Sequence, residues 1–102
     1  MDFVIEDIIR RERLAHPFTQ FSFWRTATGR EADLILDRGT HRIALEIKAN
    51  SATNPHDARK LEAILDDIGA QEGWLVGYGG ESTSLTPRVR SLSLDLHPDW
   101  LP

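Results

Sequence analysis

The sequence predicts an α/β fold of αβββαβ order with one further strand, a mixed sheet flanked by helices. Three observations carry that expectation. The chain opens on a segment whose apolar residues recur at helical spacing. Three short strand-like runs then follow in quick succession, separated by turn residues. A second helical pattern, bracketed by Asn54-Pro55 and Gly69, precedes a compact apolar run. Strands run together and then broken by a helix imply a sheet with helices packed on it. At 102 residues the chain is expected to be a single domain, long enough for a core and too short for two.

The first helix is expected from about Asp2 to Leu14, with Phe3, Val4, Ile8, Ile9 and Leu14 near one face and Glu6, Arg10 and Glu12 on its polar side. Asp2 is a candidate cap, and His16-Pro17 ends the helix because the residue before proline disfavours the α region. Phe21–Arg25 is aromatic and alternating and reads as a strand. Thr28-Gly29 turns the chain into Arg30–Asp37, and Arg38-Gly39-Thr40 turns it again into His41–Ala49, so the three strands form an antiparallel meander. Asn50–Asn54 is a polar loop. Asn54 then caps a second helix with Pro55 at its first position, Ala58, Leu61, Ile64, Leu65 and Ile68 at helical spacing, and Gly69 as its stop. Gly73–Tyr78 reads as a fourth strand, Gly79–Ser82 as a loop and Val89–Leu96 as a fifth strand with Leu92, Leu94 and Leu96 on one face. Trp24, Trp74 and Trp100 are taken as core or sheet-packing residues.

Composition excludes several classes. No stretch approaches the roughly 18 apolar residues of a membrane span, and no signal-peptide pattern opens the chain. With no cysteine there is neither a disulfide framework nor a thiolate metal site, which fits a cytoplasmic setting. His16, His41, His56 and His97 lack ligand spacing, so a zinc site is not expected. Ser82, Thr83 and Ser84 sit in no recognisable nucleophile elbow. A net charge of −4 argues against a protein that coats nucleic acid, although the basic residues are mostly Arg, which suits bidentate phosphate contacts.

The chemistry-bearing pattern is Asp33 on the second strand with Glu46 and Lys48 on the third. Alternation puts Glu46 and Lys48 on one face and Glu31 and Asp33 on another, and a hairpin between the strands would let the acidic pairs converge. Two carboxylates and a lysine suit a metal-dependent phosphodiesterase: the carboxylates hold a hard divalent cation, and the lysine stabilises phosphate charge or orients water. The plainer alternative for Asp33 is an ion pair with Lys48 or a neighbouring Arg. Glu31 either orients a ligand or a bound water, or bridges to Arg25 across the hairpin. Lys60 and Arg59 on the second helix either reach the phosphate side of the patch or are simply solvated.

This order of elements, with Asp33 and Glu46-x-Lys48 in place, resembles the PD-(D/E)xK nuclease superfamily, with Ala32 where the signature often has proline. The resemblance implies a restriction-endonuclease-like core, Mg²⁺ held by Asp33 and Glu46, Lys48 assisting the attacking water, and DNA as substrate. It also makes Glu6 of the first helix a candidate auxiliary ligand. Phe23-Trp24-Arg25, Gly29-x-Glu31-x-Asp33, Glu46-x-Lys48, Gly73-Trp74-Leu75-Val76 and the Pro98–Leu101 close look like one particular family. It is the domain of unknown function at the C-terminus of many prokaryotic AAA-type ATPases. The chain has no P-loop motif, so that likeness implies an ATPase part upstream in the same polypeptide. The alternative it leaves open is a catalytically silent DNA- or protein-binding module of such an ATPase.

Overall fold

Three apolar triplets, Leu34-Ile35-Leu36, Ile43-Ala44-Leu45 and Trp74-Leu75-Val76, are each buried at every position. A strand that alternated between core and water could not do this, so these strands must be covered on both faces. The computed structural model, which describes residues 2–27, 31–48, 54–78 and 82–93, supplies both covers. Its elements are α1 (Asp2–Ala15), β1 (Gln20–Arg25), β2 (Glu31–Asp37), β3 (Arg42–Ile47), α2 (Pro55–Ile68), β4 (Glu72–Gly77), β5 (Thr83–Ser84) and β6 (Val89–Ser93). The six strands form one mixed sheet in the order β1-β2-β3-β4-β6-β5. The β1–β2 and β2–β3 pairs are antiparallel, β3–β4 and β4–β6 are parallel, and β5 closes the far edge antiparallel to β6.

Each face carries its own core. On one, α1 lays Ile8 against Leu34, Leu36, Ile43, Leu45, Trp74 and Val76, with Val4, Ile5 and Ile9 packed alongside. On the other, Leu61, Ile64 and Leu65 of α2 meet Ala32, Ile35, Ala44, Leu75 and Val89, and Trp24 packs at the margin. The approach of α2 to β4 is close enough that a Cβ on Gly73 would stand 2.8 Å from Leu61 Cδ2. Both ends of α2 follow from local chemistry. Asn54 Oδ1 accepts from the His56 amide at 2.8 Å, and Gly69 takes the left-handed conformation, φ 68°, that lets its N–H reach Leu65 O.

The structure corrects the sequence expectation in several places. Phe3 and Leu14, expected on the buried face of α1, are 87% and 77% exposed, whereas Glu12, expected on its polar side, is 1% exposed. Glu12 is held by partners distant in sequence. Arg38 donates to both of its oxygens (2.7 and 2.8 Å), Thr19 Oγ1 donates to Oε2 at 2.6 Å, and the Arg38 guanidinium lies 5.8 Å from the centre of the Trp74 ring. Trp74 Nε1 donates in turn to Glu72, which also takes His41 Nε2 at 3.0 Å and lies 3.4 Å from Arg90. Burial works against ionisation of Glu12, but Arg38 and Thr19 outweigh it and hold the carboxyl below its ordinary range. Strand limits move by one or two residues, and β5 was not anticipated. The Thr28-Gly29 turn, most of the 50–54 loop, Leu94, Leu96 and the Trp100-Leu101 close lie outside the described residues. Among the described residues, no helix is long and apolar enough to cross a membrane.

Candidate functional site

Strand β2 carries a bulge where the acidic motif begins. Ser22 pairs with Ile35 and Trp24 with Ala32, so Asp33 and Leu34 together face the single residue Phe23. The extra residue breaks alternation, which is why Ala32 and Ile35 join one core and Leu34 the other. The strict alternation expected from Glu31 to Asp33 is therefore interrupted at Asp33.

Pairing of β2 with β3 ends at Leu34–Leu45, one rung before Asp33 and Glu46 would meet. The Asp33 side chain takes over where the backbone ladder stops. Its Oδ2 accepts from the Ile47 amide at 2.7 Å, which fastens the carboxylate beside the peptide that follows Glu46. Glu46 points to the α2 side of the sheet, opposite in sense to its neighbours Leu45 and Ile47, which belong to the α1-side core. Among the described residues, the second oxygen of each carboxylate has no hydrogen-bond donor.

Lys48 continues β3 by donating its amide to Val76 O at 2.7 Å. Its Nζ lies 3.2 Å from Glu46 Oε1 and 3.4 Å from Asp57 Oδ1, and the side chain is 26% exposed. Burial disfavours the ammonium, but the hydrogen bond and charge of Glu46, followed by those of Asp57, prevail and raise its pKa above the ordinary lysine value. Lys48 is thus a firmly charged group rather than a base. Asp57 was missed in the sequence. The available signal was its place three residues after the Asn54 cap, in the first turn of α2, where acids are favoured.

Glu31 makes the cross-hairpin bridge to Arg25, at 3.0 Å. It also lines, with Glu46, a hollow of about 490 Å³ whose other wall is His56, Arg59, Lys60, Ala63 and Ile64 of α2. So Arg59 and Lys60 do reach the neighbourhood of the acidic pair. Glu6 does not: it is exposed on α1, beside Ile9, Arg10, Arg13 and Leu14, on the opposite side of the sheet from Glu46. The expectation that Glu6 completes a ligand set is not met by this arrangement.

The donor set can be tested against a divalent cation. Among the described residues, no group of three His, Asp or Glu side chains forms a ready metal cage. Two neighbouring carboxylates, each with an undonated oxygen, still match the way Mg²⁺ is commonly held, by one or two carboxylates with water and phosphate completing the octahedron. The residues fit a cation shared with a phosphate ligand and do not fit one enclosed by protein.

A family model described as "Domain of unknown function (DUF4143)" matches residues 2–95. The chain belongs to that family. No curated protein and no solved structure matches the chain. The family description carries no activity, so what the Asp33–Glu46–Lys48 end of the sheet does rests on its chemistry.

Proposed function

We propose that this DUF4143 domain is a nuclease-like domain of the PD-(D/E)xK kind, hydrolysing nucleic-acid phosphodiesters at the Asp33–Glu46–Lys48 rim. The observation that supports it most is the hydrogen bond from the Ile47 amide to Asp33, which brings the two carboxylates to one strand end. The αβββαβ order of elements, which the resemblance implies for a restriction-endonuclease-like core, agrees with it. Asp33 and Glu46 would hold Mg²⁺, which when bound supplies Lewis acidity toward a phosphoryl oxygen and acidifies water. Lys48, kept charged by Glu46 and Asp57, would offset negative charge on the phosphate or orient the attacking water. The reading carries with it an ATPase part upstream in the same polypeptide and a cytoplasmic setting, both implied by the family likeness.

One observation favours a second reading, a catalytically silent DNA- or protein-binding module. Lys48 already faces two carboxylates, so its charge is spent within the chain and the trio is self-sufficient as an ion cluster.

Calorimetric titration of Mn²⁺ separates the readings at the metal. The nuclease reading expects binding to the wild type and a large loss in Asp33→Asn, whose amide oxygen still accepts from Ile47 and so leaves the strand end intact. Equal heats in both proteins would sink it. Cleavage of single-stranded, duplex and branched DNA with Mg²⁺, abolished by Lys48→Ala, would exclude the silent module.

A further inference from the structure

We infer that the hollow beneath α2 is a binding site for single-stranded nucleic acid, with Arg59, Lys60 and His56 contacting its phosphates. The inference rests on the phosphodiester reading of the adjoining carboxylates, and its test is arranged so that the two can fail separately. Its first support is an imbalance of pairing. The two acids in the hollow are answered elsewhere, Glu31 by Arg25 and Glu46 by Lys48. Among the described residues, the side chains of His56, Arg59 and Lys60 have no partner of their own. A chain of net charge −4 therefore keeps, among the described residues, unpaired positive charge on the wall of α2 that faces Glu46.

The second support is geometry. His56 and Lys60 are one helical turn apart, so they stand about 6 Å from each other along the axis and can follow a strand backbone. Behind them Ala63 and Ile64 give the hollow an apolar surface for sugar or base. Its volume of about 490 Å³ falls in the range of small-ligand sites, about 300–1,000 Å³, and a duplex does not enter such a space. An unpaired strand does, one nucleotide at a time. Among the described residues, no Phe, Tyr or Trp lines the hollow and His56 is its one ring, so the site reads backbone more than sequence.

The test is fluorescence-anisotropy binding of a labelled 20-nucleotide DNA strand, with chelator present so that neither metal nor cleavage contributes. Log affinity is followed against log salt for the wild type and for Arg59→Gln/Lys60→Gln. Each phosphate contact on a single strand contributes about 0.7 to the slope, so loss of two should flatten it by about 1.4. The charge-keeping pair Arg59→Lys/Lys60→Arg should restore the slope, which a mere folding defect in the first variant would not allow. The matching duplex should bind more weakly, with a slope that the Gln pair leaves unchanged. An unchanged single-strand slope, an equal flattening for the duplex, or displacement of the strand by inorganic phosphate at matched concentration would each overturn the inference. If Mn²⁺ binding and cleavage are absent while the slope still flattens, only the nuclease reading falls.

Discussion

Replacing Arg38 by Met should destabilise the chain by about 3 kcal/mol at neutral pH, although Arg38 lies far along the sheet from the acidic rim. The substitution keeps an apolar stem against Trp74 and removes two charge-assisted hydrogen bonds from Glu12, a carboxylate 1% exposed. Breaking one partner of a buried ion pair costs about 3–5 kcal/mol, mostly because the other charge is stranded. The lower figure applies because Arg38 is itself 18% exposed and water can reach the vacated place. With a urea slope near 2 kcal/mol/M the midpoint should fall by about 1.5 M. Adding Glu12→Leu should return about two-thirds of the loss, because no charge is then stranded and only Thr19 Oγ1 lacks its acceptor. The pH dependence has opposite signs in the two proteins. In the wild type the Glu12 carboxyl lies below its unfolded value, so its stabilisation is full above that value and is lost as pH falls through the folded pKa. In Arg38→Met burial prevails and raises the folded pKa above the unfolded one, so that variant should gain stability as pH falls from 7 toward 5. A single mutant no weaker than the double, or one that loses stability on mild acidification, would refute the stranded-charge argument.

Two further outcomes concern α2. Gly73→Ala should cost about 1–3 kcal/mol in thermal or urea unfolding, since its Cβ would stand 2.8 Å from Leu61 Cδ2 and 3.0 Å from Cγ. Combining it with Leu61→Ala should be less damaging than the sum of the two, because the new methyl enters the space that Leu61 leaves. Asn54→Ala removes the acceptor for the His56 amide and should cost about 1 kcal/mol, a loss that Asn54→Asp should not show.

The parts of this fold that were legible in the sequence are those governed by neighbours along the chain. Asn54-Pro55 and Gly69 delimit α2 through its own backbone, and the Arg38-Gly39-Thr40 turn joins β2 to β3 as expected, with Gly39 at φ 95°. Glu12 was misread because helical periodicity counts a carboxylate as solvent-facing, while its burial depends on Arg38, 26 residues away. Phe3 and Leu14 were misread for the converse reason: hydrophobicity places a residue inside only when the sheet extends beneath it. At the candidate site, Asp33 and Glu46 stand out by residue type and spacing. The bulge that turns Asp33 toward the Ile47 amide does not, since one extra residue in a strand leaves no mark on composition. Asp57 likewise became a partner of Lys48 only once α2 folded over the end of β3.

The direction in which each strand runs has a consequence for where damage falls. β2 runs against β1, β3, β4 and β6, so its beginning lies level with their ends. One end of the molecule therefore gathers Arg25, Asp33, Glu46 and Lys48, while the other gathers Asp37, Arg42, Glu72 and the Arg38–Glu12 clasp. About 13 Å of apolar strand separates Asp33 from Asp37 and Glu46 from Arg42, too far for a substitution in one cluster to touch the other. Residues at the first end can thus be replaced without loosening the second, and the architecture stays in place whatever the first end binds.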